Sequence, residues 1–317
     1  MTRCEGVNSA LCKRRMRAQA PAQPMALKIW LDGRLVEEEE AKISVFDHGL
    51  LYGDGVFEGI RFYRGRVFRL EEHVRRLFAS ARAIMLTPAW TSEEVSGAVC
   101  ETIRVNGLED GYVRLVITRG RGGLGLNPYL CERPSMIVIA STMELYPEEY
   151  YERGLDLVTC ATRRPTPGAL SPQVKSLNYL NNIMAKVEAL GAGAIEGLIL
   201  NEQGFVAECT GDNIFVVRNG GVLTPPVVDG ALTGITRGVV FELAAELGME
   251  IGERSLTRYD VYTAEECFLT GTAAEIIPVV TLDRRMIGTG RPGDRTRRLM
   301  EAFRKLTRNS GTEVAAA

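Results

Sequence analysis

The residue best suited to covalent chemistry is Lys175, which lies within residues 174–182. Apolar residues follow it at the spacing of one helix face, beginning at Leu177 and ending at Val187. This pattern predicts that Lys175 lies at a strand-to-helix junction, where its side chain can project into a cleft. A lone lysine is usually solvated, so a functional role for Lys175 requires suitable neighbours.

Few other side chains can supply chemistry. His48 and His73 are the only histidines in the sequence, which nearly excludes a His-rich metal cage. The seven cysteines are odd in number and lack C-x-x-C spacing, which favours reduced thiols over a disulfide framework or a zinc site. Chemistry must therefore come from lysine, tyrosine, carboxylates and arginine, and we predict no metal.

Three further positions are candidate binding groups. Glu208 ends a strand in an apolar stretch, where an unpaired carboxylate would be costly, so it needs a partner. Arg114 shares one face of an alternating strand with Tyr112 and is either an outward charge or an anion receptor. Gly234 and Thr236 open a helix whose N–H groups suit a phosphate, although Thr236 could equally be a plain N-cap.

The composition describes an ordinary globular protein of 317 residues, 45% hydrophobic and 25% charged. A net charge of -2 gives no basic field for nucleic acid, and no apolar run approaches the roughly 20 residues of a membrane span. We therefore expect a soluble, cytoplasmic protein without nucleic-acid or membrane partners.

The alternation of strand and helix patterns predicts two domains of an α+β protein. We expect an N-terminal domain at residues 26–143, a linker at 144–154, a C-terminal domain at 155–308 and a loose tail at 309–317. One further strand is predicted at residues 41–47. Residues 1–25 are basic and poor in acids, as in a transit peptide, but we favour a start at Met25 and expect disorder in either case.

Four motifs together resemble one enzyme family. They are Lys175-Ser-Leu-Asn-Tyr179, the run from His48 to Arg61 that reads H-x-L-x-Y-G-x-x-x-F-E-G-I-R, Glu72-His-x-x-Arg76-Leu, and Glu208-Cys-Thr-Gly-Asp-Asn213. The chain resembles the class IV, or fold type IV, pyridoxal-phosphate aminotransferases, and most of all the branched-chain amino acid aminotransferases. The resemblance runs from about Ile29 to about Leu306; Cys209 departs from it, because the family has glycine there.

The resemblance implies the fold type IV architecture, a smaller N-terminal α/β domain and a larger C-terminal pseudo-barrel α/β domain. It implies pyridoxal 5′-phosphate as the cofactor, with Lys175 as the catalytic Schiff-base lysine. The implied cofactor-binding residues are Arg76, Lys175, Tyr179, Glu208, Gly211, Asp212, Asn213, Leu232, Gly234, Ile235, Thr236, Gly271 and Thr272. The implied substrate-binding residues are Tyr52, Phe57, Gly59, Arg61, Tyr112, Arg114, Leu124, Leu126, Thr272 and Ala273.

The implied reaction is reversible transfer of the amino group of L-leucine, L-isoleucine or L-valine to 2-oxoglutarate, with small amino acids and 2-oxo acids as partners. A D-amino acid aminotransferase, an aminodeoxychorismate lyase and a non-catalytic cofactor carrier remain alternatives. The D-amino acid group's Arg-x-His carboxylate trap has no counterpart, because no histidine follows His73. The family's loop, here carrying Leu124 and Leu126, reaches into a neighbouring subunit, which implies a homo-oligomer, at least a dimer.

Overall fold

The computed structural model describes residues 27–315, and the expectation for residues 1–25 lies outside them. The helices of the described chain are α1 (His48–Tyr52), α2 (Leu70–Ala83), α3 (Ser92–Val105), α4 (Glu148–Arg153), α5 (Leu180–Gly191), α6 (Ile235–Glu246), α7 (Arg258–Tyr262) and α8 (Asp294–Asn309). Most of their beginnings and ends fall within a few residues of the predicted ones. Helix α3, for example, begins after a capping box in which Thr91 and Glu94 bond each other's backbone.

A first sheet of seven strands is antiparallel throughout and has the order β16-β4-β3-β5-β6-β1-β2. Its strands are β1 (Lys28–Leu31), β2 (Arg34–Glu37), β3 (Gly55–Tyr63), β4 (Arg66–Val67), β5 (Gly111–Thr118), β6 (Ser135–Ser141) and β16 (Thr312–Glu313). Helices α2 and α3 pack on it and bury a core that includes Ile60, Leu77 and Val99. Strands β1 and β2 join through Asp32 and Gly33, both at positive φ, as the predicted type I′ turn requires.

A second sheet of nine strands is mixed, with the order β12-β11-β10-β13-β14-β7-β8-β9 and β15 paired to β14. Its strands are β7 (Leu155–Arg163), β8 (Glu196–Leu200), β9 (Val206–Cys209), β10 (Asn213–Arg218), β11 (Gly221–Thr224), β12 (Ile251–Glu253), β13 (Glu266–Gly271), β14 (Glu275–Leu282) and β15 (Arg285–Met286). Helix α5 covers β7 and β8, whereas α6 and α8 pack against each other and against β13. The α+β fold class expected from the sequence is confirmed.

The predicted strand at residues 41–47 is wrong. This segment forms no strand, and Asp47 instead caps α1 by accepting a hydrogen bond from the Gly49 amide at 2.7 Å. The Asp47 carboxylate also accepts the Thr118 hydroxyl at 2.8 Å. These two bonds turn the chain into the helix, which a local alternation of apolar residues cannot reveal.

The C-terminal tail also differs from the expectation of a loose segment. Thr312 and Glu313 form β16, which pairs with β4, and the Val314 amide donates to the Gly65 carbonyl at 2.8 Å. The chain therefore returns to the first sheet after α8. The division into domains at residues 26–143 and 155–308 stays a prediction, although the two sheets change over between β6 and β7.

Candidate active site

Lys175 lies in the connection between β7 and α5, and its backbone is held by the first sheet. Its carbonyl accepts the Phe57 amide at 3.0 Å, and the Leu177 amide donates to the Gly55 carbonyl at 2.9 Å. The Lys175 amide donates to the Ser80 hydroxyl at 3.2 Å. Strand β3 therefore fixes the position from which the lysine side chain starts.

The Lys175 amine lies between two aromatic rings. Its Nζ donates to the Tyr179 hydroxyl at 3.1 Å and lies 4.6 Å from the centre of the Phe57 ring. The two rings meet edge to face, with centroids 4.9 Å apart. Two adjoining cavities share Lys175, Tyr179, Gly211 and Thr272, so the amine lies where an inner and an outer cavity meet.

The inner cavity is lined by groups that suit an anion. The first turn of α6 faces it through Ile235 and Thr236, and Arg76 and Thr270 line it as well. The first N–H groups of a helix lack intrahelical partners, and the buried Thr270 hydroxyl has no hydrogen-bond partner in the described chain. A side chain at Gly234 would place its Cβ 2.0 Å from the Asn213 amide oxygen, so glycine is needed for this close approach.

Glu208 lies in the wall of the same cavity, and both of its oxygens are bonded. One accepts from the Arg164 guanidinium. The other accepts the Leu232 amide at 2.9 Å and the Asn213 side-chain amide at 3.2 Å. Burial raises the pKa of Glu208, and Arg164 and the Leu232 amide oppose that rise. Glu208 thus has the partner that its burial requires.

The sequence analysis missed Arg164. Its guanidinium is spread over three acceptors: Glu208, the Asn182 side chain at 2.9 Å and the Gly230 carbonyl at 3.1 Å. The available signal was indirect, since a buried acid needs a cation and this arginine follows β7, which pairs with β8 beside β9. Asn182, also missed, lines the inner cavity too.

A second buried acid, Glu58, binds Arg76. Arg76 donates to it from Nε at 2.7 Å and from one terminal nitrogen at 2.8 Å. His73 contacts the same carboxylate at 2.7 Å, as the hydrogen-bonding role considered for this histidine requires. Burial raises the pKa of Glu58, but Arg76 and His73 lower it further, to about 2. Glu58 is therefore a permanent buried anion at neutral pH.

The outer cavity, of about 270 Å³, has aromatic walls and a cation, Arg114. Phe57, Tyr112 and Ala273 line it, and the Arg114 guanidinium lies 4.7 Å from the Phe57 ring centre. Within residues 27–315 no carboxylate comes within salt-bridge distance of Arg114, so its charge is available to a ligand. A Cβ at Gly59 would lie 1.8 Å from the Tyr112 hydroxyl, which explains the glycine.

One wall of the outer cavity carries a polar cluster that the sequence did not reveal. The Tyr146 hydroxyl lies 3.2 Å from the Asp212 carboxylate and 3.3 Å from that of Glu196. Lys186 binds the Glu196 carboxylate at 3.0 Å. Burial, and then the nearby Glu196, raise the pKa of Asp212 to about 7. Asp212, expected at the cofactor, thus belongs to the outer cavity wall.

Four expected substrate-binding residues lie away from both cavities. Arg61 lines a neighbouring cavity, where it bonds the Met143 carbonyl at 3.2 Å and approaches Glu275. The Tyr52 hydroxyl donates to the Leu124 carbonyl at 2.7 Å. Leu124 and Leu126 are 74% and 79% exposed. In one chain these residues cannot contact a ligand beside Lys175.

The remaining expected cofactor-binding residues surround the inner cavity. They are Tyr179, Gly211, Asn213, Leu232, Gly271 and Thr272. Over residues 27–315 no cluster of His, Cys, Asp and Glu has the arrangement of a metal site. In the same part of the chain, no helix combines the length and apolar character needed to cross a bilayer.

Comparisons with known proteins identify the family. The sequence model of the family Amino-transferase class IV matches residues 55–282. A Methanocaldococcus jannaschii protein with the provisional name branched-chain-amino-acid aminotransferase is 50% identical, over 91% of this chain and 99% of its own. The crystal structure of the Escherichia coli branched-chain amino acid aminotransferase superposes with a TM-score of 0.89 at 36% identity, covering 92% of this chain and 100% of that one.

A second solved structure contains a ligand. It is a branched-chain amino acid aminotransferase of T.th., complexed with N-(5′-phosphopyridoxyl)-L-glutamate. It gives a TM-score of 0.85 at 38% identity and covers 90% of this chain and 95% of that one. The family expected from the sequence is confirmed by these matches. The chain belongs to the class IV aminotransferases.

Proposed function

We propose that this protein is a branched-chain amino acid aminotransferase, which transfers the amino group of L-leucine, L-isoleucine or L-valine to 2-oxoglutarate. One observation carries the proposal: the Lys175 amine lies where an anion-binding inner cavity meets an aromatic outer cavity that contains an arginine without an acid partner in the described chain. The two cavities thus divide the work between a cofactor and a substrate.

The residues of the inner cavity fit pyridoxal 5′-phosphate. Lys175 holds it as a Schiff base, Glu208 faces its ring nitrogen, and Arg76, Ile235, Thr236 and Thr272 hold its phosphate. The buried Thr270 hydroxyl, which has no partner in the described chain, supports this assignment because a phosphate oxygen would satisfy it. When bound, this cofactor supplies an electron-accepting ring, and the protein supplies position and charge.

The outer cavity suits two kinds of side chain. Phe57 and Tyr112 offer apolar surface to a branched aliphatic group, whereas Arg114 offers a charge to the distal carboxylate of glutamate. The glutamate conjugate bound by the T.th. relative supports the second role. During the reaction Lys175 Nζ moves the substrate proton, and the Tyr179 hydroxyl, 3.1 Å away, orients that amine.

We propose a homo-oligomer, at least a dimer. Five large apolar side chains along α5 are about half exposed or more, and they are Leu180, Ile183, Met184, Val187 and Leu190. These residues include the apolar stripe from which the helix was predicted, and such a stripe on a surface indicates an interface. Leu124 and Leu126 would then enter the partner's outer cavity.

We propose the cytoplasm as the location. The five cysteines of the described chain, at positions 100, 131, 160, 209 and 267, are all free thiols. Free thiols are typical of a reducing compartment.

A half-reaction screen tests the function. The purified holoenzyme is mixed with one amino donor in the absence of any acceptor, and the cofactor absorbance is followed through a single turnover. We expect conversion with L-leucine, L-isoleucine, L-valine and L-glutamate. Conversion by D-alanine alone, or pyruvate release from aminodeoxychorismate, would contradict the proposal and identify one of the alternative reactions.

A further inference from the structure

Strand β3 presents different residues to the two cavities. Phe57 and Gly59 line the outer cavity. Successive side chains of a strand point to opposite faces, so Glu58, between them, points the other way, toward α2. It is fully buried there, with Arg76 and His73 as its partners.

The bonds within this cluster leave a defined part of Arg76 free. A guanidinium has five N–H donors. Two bond Glu58, and a third donates to the Thr233 carbonyl at 2.8 Å, directly before the Gly234 cap of α6. Two donors therefore remain for a ligand, and both the angle of the guanidinium and its distance from α6 are fixed.

His73 fixes the other side of Glu58. Burial lowers the pKa of His73, and the Glu58 carboxylate opposes that change without reversing it. The ring is therefore neutral at neutral pH. Because a carboxylate can only accept, the ring nitrogen Nδ1 carries the proton and donates it to Glu58.

We infer that Glu58, held by His73, is a positioning residue that orients Arg76 toward the phosphate of the cofactor. The inference rests on the assignment of pyridoxal 5′-phosphate to the inner cavity. A fork between a carboxylate and a guanidinium fixes direction as well as distance. Without it, Arg76 would swing freely about its long side chain and lose its alignment with the first turn of α6.

The test compares two cofactors that differ by the phosphate alone. Apoenzyme is titrated with pyridoxal 5′-phosphate and with pyridoxal, and binding is followed by absorbance. In Glu58→Gln the carboxamide keeps the shape but cannot accept the whole fork. We expect the dissociation constant for pyridoxal 5′-phosphate to rise at least about tenfold, the scale of one charge-assisted hydrogen bond, while that for pyridoxal changes less than about twofold.

A matched control lies on the same helix. Glu71 binds Arg75 at 2.7 Å in a surface pair, and Glu71→Gln should change neither dissociation constant. Equal losses for both cofactors in Glu58→Gln would show that Glu58 has only a structural role. An unchanged affinity for pyridoxal 5′-phosphate would overturn the inference as well.

His73 gives a second test if Glu58→Gln does not fold. His73→Leu removes the donor and leaves Arg76 in place, so we expect a threefold to tenfold loss for pyridoxal 5′-phosphate alone. His73→Asn retains an N–H donor and should restore most of the affinity. A loss in His73→Leu that also affects pyridoxal, or that asparagine does not rescue, would contradict the proposed role.

These measurements need no amino acid substrate. A wild-type protein that binds pyridoxal 5′-phosphate but fails the half-reaction screen would overturn the proposed function. A phosphate-selective loss in Glu58→Gln would still support the positioning role of Glu58 in that case.

Discussion

The backbone amide of Phe57 donates to the carbonyl of Lys175 at 3.0 Å, and the Phe57 ring lies 4.6 Å from the amine of the same lysine. One residue of the first sheet thus holds both ends of the reactive group. A lysine on a long loop would otherwise sample many positions, and this contact confines it to the boundary of the two cavities.

Lys175→Ala should abolish transamination. We expect the half-reaction rate with L-leucine to fall by at least about a thousandfold, because the proton-transferring amine is removed. The long-wavelength absorbance of the bound cofactor should be lost as well. Lys305→Ala, a change on the exposed part of α8, is the control and should behave like wild type. Substantial turnover in Lys175→Ala would exclude the proposed mechanism.

Arg114→Ala should discriminate between the two substrate classes. The guanidinium has no acid partner in the described chain, so its loss removes a charge-assisted bond to a distal carboxylate. We expect KM for 2-oxoglutarate and glutamate to rise about tenfold or more, and KM for leucine to change less than about threefold. Steady-state kinetics with each substrate measures this. Similar losses for all substrates would mean that Arg114 supports the cavity wall only.

Gly59→Ala should impair substrate binding without unfolding the protein. The new Cβ would lie 1.8 Å from the Tyr112 hydroxyl, so the tyrosine must leave its place in the outer cavity. We expect kcat/KM for leucine to fall about tenfold or more, as for loss of an oriented contact. Gly97→Ala on α3 is the matched control, since nothing lies within 4 Å of its added Cβ. If the two variants had equal activity, the assignment of Tyr112 to the cavity would be wrong.

Asp212→Asn should stabilise the protein at alkaline pH. Burial, with Glu196 next, raises the pKa of Asp212 to about 7 from an ordinary value of 3.8. The folded state therefore prefers the protonated acid, and its stability is highest at low pH and falls as the pH rises from about 4 to about 7. The amide resembles the protonated acid, so we expect the gain in unfolding free energy to be larger at pH 8 than at pH 5 by on the order of 2 kcal/mol.

Urea unfolding of the variant and wild type at the two pH values measures this effect. The exposed Asp110 provides the control, because Asp110→Asn should give no pH-dependent difference. A gain of equal size at both pH values would show that the Asp212 side chain does not titrate between them.

The double variant Leu124→Ser, Leu126→Ser should raise KM for leucine if the loop enters a partner's cavity. Both side chains are exposed in the single chain, so neither change should affect its folding. Met286→Ser, at a residue 62% exposed, is the control. Sedimentation at several protein concentrations should show a dimer or larger assembly for wild type. A monomeric enzyme of full activity would contradict this proposal.

Local sequence patterns predicted the segments around the inner cavity. The place of Lys175 before a helix and that of Gly234 and Thr236 at a helix beginning follow from local spacing, and the structure has both. The strand pattern at residues 112–118 likewise predicted that Tyr112 and Arg114 share a face. In each case neighbouring residues determine the arrangement.

Contacts between distant parts of the chain could not be predicted in this way. Arg164 and Glu208, or Tyr146 and Asp212, lie far apart in sequence and meet only because the second sheet brings their strands together. The wrong strand at residues 41–47 has the same cause, since Thr118 on another strand helps Asp47 to turn the chain. Pairing partners of buried charges need the tertiary fold.

The alternation of β3 has a consequence for how such an enzyme can change. Phe57 and Gly59 face the outer cavity while Glu58 faces the arginine below, so a one-residue insertion or deletion near Gly55 would exchange the two surfaces. The substrate would then meet a carboxylate, and Arg76 would meet a phenyl ring. New specificities on this strand can therefore arise by replacement of side chains, whereas a change in its length would destroy both sites together.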